Sequence, residues 1–515
     1  MFSVQSKFAP GAVLALVFVS LLLSQGCKDD HGLVQQVEPE LHQNEPTQRY
    51  TRDVTMMEME IPDLSQSDRV SAYKLVVEQR QNEARAHAQT KPQVSSRTPN
   101  CAIDVPADYA TLQDAVDAAA PGCVITISAD LSETWPTFVT TSDITIRGAS
   151  GSVPTVESAG LFLDAAPGNI SNVRVTGLNL VLDEGVVVFN GDDVMIDNNT
   201  ITSTFWTGLS MYFTNNSMVE NNAITGDYHA MALYVSNNNQ VKGNALAVES
   251  ANPDQIAGLF TESASGNTIE NCTFDGSSLV QGWGFWLASG SDNNLIKGCT
   301  STNNSMFGFI AVASNHNEFK NCTATANDRG YFVFGGDGNT YIGCTSTDGR
   351  NGIVAIANGG LIAENVLIKD CDLSNNTGAG VFLRDAVSST IRSSAMTNNA
   401  VGLFDLNTTG TSVRDATISA NLFEGVWTYG PHDFEMRDCV STGNDFAGVL
   451  LQSGTDVQLR SLSTTENSDG LVIFGSNNVL ITDSYSADNE FCDLFQIDNT
   501  NVTITNSDLG VDCSF

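Results

Sequence analysis

Short apolar runs recur along the chain at a nearly constant spacing, and a small residue opens each run. The successive spacings lie between 22 and 28 residues, and most are 22 or 23. A single helix or strand has no such period, whereas a stack of small structural units does. The spacing therefore predicts a solenoid with coils of roughly 23 residues. The residues that open the runs are Gly185, Gly208, Ala230, Gly258, Gly284, Gly308, Gly330, Gly352, Gly380, Gly402, Gly425, Gly448 and Gly470.

A second marker precedes many of these glycines, which indicates more than one strand in each coil. Apolar pieces of four to six residues, separated by Asn, Gly, Asp and Ser, are too short for helices and typical of strands joined by tight turns. Stacked parallel strands lie ~4.8 Å apart and place like residues above one another. We therefore predict an all-β parallel β-helix of about 13–15 coils over residues 101–515. The markers read TIENC to Cys272, LIKGC to Cys299, EFKNC to Cys322, TYIGC to Cys344 and LIKDC to Cys371.

The start of this region carries a helical pattern. Residues 107–121 place Leu112, Ala115, Val116 and Ala119 on one face, with Thr111 as N-cap and Pro121 as a stop. Because the first coil of a solenoid would otherwise expose a strand edge, we expect this short helix to cap it.

The same segment supports a family resemblance. VPADYATLQDAVDAA, followed by VITIS and ITIRG, resembles the opening of pectate-lyase-superfamily β-helices. The coils from Asn169 onward resemble the Asn/Gly-rich repeat of periplasmic and secreted carbohydrate-active proteins. The resemblance covers residues 101–515 and implies a right-handed parallel β-helix that interacts with carbohydrate.

The N-terminal residues read as an export signal and a tether. Lys7, an apolar run over 11–23 and Cys27 resemble the signal of bacterial lipoproteins, in which the cysteine is acylated, although Leu23 stands four residues before Cys27 instead of three. An ordinarily cleaved secretory signal over 1–27 is the alternative. We expect an outer-membrane lipoprotein or cell-surface protein, or otherwise a secreted one. Residues 28–100 are predicted to form a flexible acidic tether with a transient helix over 67–87.

The net charge of the chain restricts which classes of molecule it can bind. The chain has 59 Asp and Glu against 23 Lys and Arg, a formal charge of −36. Such a chain repels nucleic acid and anionic membranes, so we expect membrane contact only through a lipid at Cys27. We expect a polysaccharide partner and a monomeric protein. No metal site is predicted from residue spacing, and calcium is the one cofactor that the acidic surface would suit.

The cysteines give a second view of the stack. Without Cys27, ten of the 11 cysteines remain, an even number that suits an oxidising compartment. We predict that Cys101 pairs with Cys123 and Cys492 with Cys513. The marker cysteines, with Cys439, would form a vertical column. This column is either a redox or metal site or, as we favour, a stack of buried thiols in place of the usual Asn ladder.

Two rows of side chains could face a ligand. By comparison with the repeat family, the residue after each glycine points inward, which turns the next residue outward. This second row, here called the outer row, could stack on sugars, or loops or a partner could cover it. Its members are the predicted ligand-binding residues Phe260, Trp286, Phe332, Phe382, Phe404 and Trp427, with Ile310, Val354, Leu450 and Val472 between and after them.

A basic row lies two positions before the cysteine markers. It could bind a uronate or sulfated glycan, or, as we favour, its charges are neutralised by neighbouring Asp and Glu. Its members are Lys242, Lys297, Lys320, Lys369, Arg392, Arg414, Arg437 and Arg460.

Three places hold candidate catalytic residues. Asp227 and His229 lie beside predicted loops and could serve as acid and base. Arg329 and Arg350 each follow a carboxylate on adjacent coils, as in lyases that abstract a proton beside a uronate. Each of these places could equally be an ordinary polar turn or surface ion pair.

The third place is Tyr429-Gly430-Pro431-His432-Asp433, which resembles the Asp-Pro-His-Asp/Glu motif of mannuronan C5-epimerases. The resemblance implies a catalytic role for His432 and carries over to Asp433. Gly430, however, stands where the family has its first catalytic Asp.

These patterns support functions of different classes. We expect a polysaccharide-binding or polysaccharide-degrading protein, with lyase or glycoside hydrolase activity if it is an enzyme. A non-catalytic structural or adhesion lipoprotein is the competing hypothesis, and a polysaccharide epimerase is a further one.

Overall fold

The computed structural model describes residues 101–165, 168–249, 256–277, 279, 281–357 and 360–513. The predicted signal over 1–27, lipidation at Cys27 and the tether over 28–100 lie outside the described residues. All described residues belong to the compact unit Ser65–Phe515. They form a right-handed parallel β-solenoid in which each regular coil adds one strand to each of three parallel sheets. In this part of the chain no helix is long and apolar enough to cross a membrane.

The first sheet has 18 strands, each hydrogen-bonded to the strand of the next coil. Their bounds are Ala102–Val105, Val124–Ile127, Thr145–Gly148, Arg174–Thr176, Met195–Asp197, Met218–Glu220, Gln240–Lys242, Thr268–Glu270, Leu295–Lys297, Glu318–Lys320, Thr340–Ile342, Leu367–Lys369, Thr390–Arg392, Ser412–Arg414, Glu435–Arg437, Thr455–Arg460, Asn477–Thr482 and Thr500–Thr505.

The second sheet has 16 strands. Their bounds are Leu131–Ser132, Thr155–Ser158, Asn179–Leu182, Thr200–Ser203, Ala223–Gly226, Ala245–Val248, Thr273–Asp275, Thr300–Thr302, Thr323–Thr325, Thr345–Thr347, Asp372–Ser374, Ala395–Thr397, Thr417–Ser419, Val440–Thr442, Ser463–Thr465 and Tyr485–Ala487.

The third sheet also has 16 strands, and the predicted apolar runs lie in it. Their bounds are Thr137–Val139, Leu161–Leu163, Val186–Phe189, Leu209–Tyr212, Met231–Tyr234, Ile256–Glu262, Gly282–Ala288, Phe307–Val312, Arg329–Phe334, Asn351–Ile356, Ala379–Arg384, Val401–Leu406, Val426–Tyr429, Ala447–Gln452, Asp469–Phe474 and Cys492–Ile497. Two small two-stranded sheets pair Ile170–Ser171 with Gly191–Asp192 and Gly336–Asp337 with Ala363–Glu364.

The register confirms that residues one period apart are vertical neighbours. Phe309 pairs with Tyr331, and Tyr331 pairs with Ile353 in the next coil. The opening glycines stack as well, because a Cβ at Gly308 would lie 2.6 Å from the carbonyl oxygen of Gly330. That approach is too close for a side chain, which explains the small residue in each coil.

The number of coils was predicted too low. The third sheet alone has 16 strands, more than the predicted 13 to 15 coils. The prediction followed the small opening residue from Gly185 to Gly470, whereas strands Thr137–Val139 and Leu161–Leu163 precede that range. In the last coil the equivalent of Gly470 is Asp493, because Leu471 pairs with Leu494. End coils therefore depart from the pattern.

The core is a column of inward-facing apolar side chains from all three sheets. Phe285, Phe309 and Tyr331 stack along the axis with ring centroids 4.9 and 5.0 Å apart. Phe319 and Tyr341, from the first sheet, form a second stack at 4.9 Å. Since each ring meets its counterpart one coil away, the core repeats with the same period as the sequence.

The turn before each cysteine marker explains the marker's residue types. Asn271, Gly298, Asn321, Gly343 and Asp370 all have positive φ, between 50° and 62°. Gly, Asn and Asp adopt this left-handed conformation at the lowest cost. The chain therefore turns a corner between the first and second sheets at this position in coil after coil.

A side-chain ladder follows this turn, and it changes from asparagine to cysteine. Asn222 accepts a hydrogen bond from the backbone N–H of Asn199, and Asn244 accepts one from Asn222, both at 2.9 Å. The next members are the buried free thiols of Cys272, Cys299, Cys322, Cys344 and Cys371, with Cys439 further along. Burial raises the pKa of the Cys439 thiol to about 11. These observations confirm a stack of buried thiols in place of the Asn ladder.

The first coils contain the predicted helix, which spans Leu112–Ala118. Thr111 is its N-cap and accepts a hydrogen bond from the backbone N–H of Asp114 at 3.1 Å. The helix contacts strands Ala102–Val105 and Thr137–Val139. Its role as a cap of the solenoid stays a prediction.

Disulfides lie at both ends of the described body. Cys101 is bonded to Cys123, and Cys492 is bonded to Cys513, the two pairs predicted from the sequence.

Candidate functional site

An open groove lies at the corner where the second sheet turns into the third. Its volume is about 590 Å³, a size typical of ligand pockets. Short polar side chains line most of it, and its charged groups are Asp328, Asp348 and Arg350. We call it the corner groove. The lining residues are Ser277, Leu279, Asn303, Asn304, Ser305, Ala326, Asn327, Asp328, Asp348, Gly349, Arg350 and Thr377.

A break in an asparagine ladder forms the floor of the corner groove. Asn304 donates to the side-chain oxygen of Asn327 at 2.7 Å, and Asn376 donates to that of Asn399 at 3.1 Å. Between these pairs the equivalent residue is Gly349, whose N–H donates to Asn376 at 3.3 Å. A Cβ at Gly349 would lie 2.2 Å from the carbonyl oxygen of Asn327, so no side chain fits there and the ladder is interrupted.

Two ion pairs that share Asp328 give the corner groove its charge pattern. The Asp328 carboxylate lies 3.0 Å from Nη1 of Arg329 and 3.7 Å from Nη1 of Arg350. The Arg350 side chain is 47% exposed, whereas that of Arg329 is 5% exposed. Arg350 is therefore the cation that a ligand in the corner groove can reach.

Arg329 itself has a structural environment. Its guanidinium lies 5.1 Å from the ring centroid of Phe307 and 5.8 Å from that of Phe332. Burial lowers the pKa of Arg329 below its usual value, while Asp328 opposes this shift. The Asp328 carboxylate thus lies between the buried Arg329 and the half-exposed Arg350. The structure thus brings two predicted residues, Arg329 and Arg350, to one site.

The predicted pair Asp227 and His229 lies elsewhere. Burial raises the pKa of Asp227. His229 is buried, and its Nδ1 accepts a hydrogen bond from the backbone N–H of Ala257 at 3.0 Å. Its ring stacks on Phe260 with centroids 5.1 Å apart. Four coils, ~19 Å at the sheet spacing, separate His229 from Arg329. A catalytic role for Asp227 or His229 stays a prediction.

His432 and Asp433 lie at a different corner, between the third sheet and the first. His432 is exposed, and its Nε2 lies 3.6 Å from the carboxylate of Asp456. Asp433 occupies a left-handed turn with φ of 56°. Because strand Val426–Tyr429 separates this corner from the opposite edge of the third sheet, His432 and Arg350 do not share a site. Catalytic roles for His432 and Asp433 stay predictions.

The outer row is buried. Its side chains alternate with core residues and are absent from the core cluster, so they point away from the axis as predicted. Phe260, Trp286, Phe382 and Trp427 are only 2–3% exposed, and Phe332 and Phe404 are at most 1% exposed. Their burial fits the alternative in which this row is covered. Their role in ligand binding stays a prediction.

The basic row is largely neutralised. Lys297 lies 3.0 Å from Glu270, Arg414 lies 2.6 Å from Glu435, and both pairs join adjacent coils. Such ion pairs satisfy the charges on the surface of the first sheet, as the favoured interpretation of the row predicts.

Sequence reasoning missed most of the corner groove. The sequence pattern indicates Asp328 and Asp348 only as the carboxylates near Arg329 and Arg350, and it predicts no role for Asn304 or Asn327. One sequence signal does mark this corner. An Asn stands three or four residues before most opening glycines, and Gly349 interrupts that series.

Comparisons with known proteins agree with this fold. The family model described as "Right handed beta helix region" matches residues 257–411 and 402–509. A second model, "Periplasmic copper-binding protein (NosD)", matches residues 125–298. The chain is a right-handed parallel β-helix repeat protein, as its resemblance to the pectate-lyase-like superfamily implies. Among curated proteins, none matches it.

Several solved structures are similar at low identity. ORF18 of Geobacillus virus E2 is 14% identical with a TM-score of 0.42, and the match covers 52% of this chain and 61% of the viral chain. The A-module of mannuronan C-5 epimerase AlgE4 from Azotobacter vinelandii is 15% identical with a TM-score of 0.35, covering 78% and 93%. The GH87 alpha-1,3-glucanase of Streptomyces thermodiastaticus strain HF3-3 is 13% identical with a TM-score of 0.33, covering 81% and 70%.

The described residues do not fit a copper site. Within the described ranges no group of three or more His, Cys, Asp or Glu side chains is arranged to hold a metal ion. Cys272 and Cys299, inside the matched region, are buried, and their thiols lie against the backbone carbonyl oxygens of Val241 and Ile269. A linear stack of thiols does not provide the convergent ligands of a metal centre. Calcium binding stays a prediction.

Proposed function

We propose that the chain is an exported polysaccharide-binding β-helix protein, and that the glycan binds in the corner groove. The observation that carries this proposal is a groove of about 590 Å³ lined by amide, hydroxyl and carboxylate groups from adjacent coils. These groups match the alternating donors and acceptors of sugar hydroxyls. Because the groove runs across coils, it suits a chain of sugars better than one compact molecule.

The charges suggest which glycan binds. Arg350 is half exposed and can form a charge-assisted hydrogen bond with a sugar carboxylate. Asp328 and Asp348 lie beside it and can accept hydrogen bonds from hydroxyls. A glycan that contains uronate but also free hydroxyl groups therefore fits the corner groove best.

Export is supported by the predicted signal over 1–27 and by the disulfides at both ends of the described body. Disulfides persist in oxidising compartments such as the periplasm and the cell surface. Attachment through Cys27 remains part of the proposal.

A uronate bound in the corner groove would have two carboxylates of the protein near its ring. Asp328 and Asp348 are thus the groups that could act as acid or base in a lyase or glycoside hydrolase reaction. A non-catalytic adhesion or structural lipoprotein would bind the same glycan without turnover. The epimerase hypothesis has less support, because Gly430 has no side chain to replace the missing Asp.

The test uses the purified full chain on an array of neutral and uronate-containing glycans, followed by product analysis on the glycans that bind, with and without calcium. Arg350→Ala should weaken uronate binding by about tenfold or more through loss of a charge-assisted hydrogen bond. Arg392→Ala, in the basic row, is the matched control and should bind like the wild type. Absence of any glycan binding, or equal binding by Arg350→Ala and the wild type, would refute the proposal.

A further inference from the structure

The side of the third sheet that faces away from the core is an apolar surface that runs along the central coils of the solenoid. It consists of the outer row together with Trp283 and Phe307, and we call it the outer face. Neighbouring rings touch along it: Phe382 lies 5.1 Å from Phe404, and Phe404 lies 4.8 Å from Trp427. The ten members of the outer row lie on ten successive coils, which span ~43 Å at the sheet spacing.

The outer face is covered. Trp283 and Phe404 are fully buried, although neither belongs to the core cluster. Among the described helices and strands, the strands that carry the outer face contact one another and adjoining strands of the second sheet, and no element lies across this face. An uncovered aromatic stripe of this length would promote association. The cover is therefore a part of the chain outside these helices and strands.

We propose that the cover is a segment of this same chain, residues 65–100, which precedes the first coil. This inference does not depend on the proposed glycan binding. The segment has the pattern of an amphipathic helix, because Val70, Tyr73, Val77, Ala84 and Ala88 recur at spacings of three, four, seven and four residues. Such a stripe matches an apolar surface.

Charge favours the same occupant. The segment has six Lys and Arg against three Asp and Glu, whereas residues 101–515 have 13 against 47. A basic segment is attracted electrostatically to such an acidic body. A basic amphipathic segment supplies both an apolar stripe and cations.

The segment is long enough to reach the outer face. A helix over 67–87 would be ~31 Å long, which covers six or seven coils. The 13 residues from 88 to 100 can extend ~43 Å, farther than the six coils, ~29 Å, between Cys101 and Phe260. The segment can therefore reach the outer face without disturbing the first coil. Residues 65–100 would then be a docked element and not part of a free tether.

Tryptophan fluorescence tests this proposal in the full chain. Trp283, Trp286 and Trp427 lie on the outer face, so replacing Trp135 and Trp206 by Phe leaves only reporters of that face. In this background, the triple variant Val70→Asp, Tyr73→Asp and Val77→Asp should release the segment. We expect a red-shifted emission and a several-fold increase in acrylamide quenching.

The matched control adds the same three charges on the side of the helix opposite Val70, Tyr73 and Val77, as Ser71→Asp, Gln79→Asp and Asn82→Asp. It should keep the emission and quenching of the parent. Unchanged fluorescence in the apolar-stripe variant, or an equal change in the control, would refute the proposal.

A second measurement leaves the chain nearly native. A photoreactive phenylalanine analogue in place of Tyr73 should crosslink, within one molecule, to third-sheet peptides that carry the outer row. Crosslinks to other regions, or only between two molecules as in a dimer that buries this face, would contradict the proposal.

Discussion

The side-chain nitrogen of Asn244 lies 3.9 Å from the Sγ atom of Cys272, at the point where the corner ladder changes from amide to thiol. One coil earlier, the side-chain oxygen of Asn244 accepts the backbone N–H of Asn222 at 2.9 Å. Cysteine can offer only a weak acceptor to the N–H groups beneath it. The ladder therefore holds this corner together less strongly where it is made of thiols.

Extending the asparagine ladder by one residue should preserve or raise stability. In Cys272→Asn, the new side chain can accept from Asn244 and donate to the carbonyl of Val241, which the thiol already contacts. Cys272→Val has a similar volume but no acceptor. The Asn244 side chain keeps its hydrogen bond to the carbonyl of Val219 but loses the one to Sγ, which should lower the free energy of unfolding by about 1 kcal/mol. Urea unfolding compares the two variants. Equal stability of both would contradict a hydrogen-bonding role for this position.

The thiol column should be chemically inert in the folded protein. Cys272, Cys299, Cys322, Cys344 and Cys371 are all buried, and they contact backbone carbonyl oxygens. Alkylation requires an accessible thiolate. Mass spectrometry should therefore find these cysteines unmodified after treatment of the native protein with iodoacetamide, and modified after treatment in denaturant without reductant. Rapid labelling of any of them under native conditions would show that the column is accessible and would favour a redox role.

The period of the sequence predicted most of the fold, because stacking forces residues one coil apart into contact. The same logic predicted that the cysteines continue an asparagine ladder. Two features do not follow from periodicity. The corner groove lies where Gly349 interrupts the series of asparagines. The burial of Trp286 and Phe404 depends on what lies over the third sheet. Alternation along a strand predicts which way a side chain points, but it does not predict whether another part of the protein covers that side chain.

The Asp328 carboxylate should contribute to stability as well as to binding. It lies 3.0 Å from the buried Arg329, so Asp328→Asn should lower the free energy of unfolding on the order of 2 kcal/mol through a weakened buried ion pair. Asp348→Asn, one coil away on the exposed rim, is the matched control and should change stability by less than about 0.5 kcal/mol. Thermal unfolding measures both. A similar loss in the two variants would mean that Arg329 does not depend on Asp328.

Asp405 should make stability depend on pH. It is fully buried, its Oδ2 accepts from Thr408 at 2.8 Å, and burial raises its pKa to about 7. The unfolded chain releases this proton near pH 3.9, so the free energy of unfolding should fall as pH rises from about 4 to 7, by at most about 4 kcal/mol, and then level off. Asp405→Asn should remove this slope in urea unfolding measured at pH 4.5 and 8, whereas Asp415→Asn, on the surface, should retain it. A slope that persists in Asp405→Asn would assign the titration to another group.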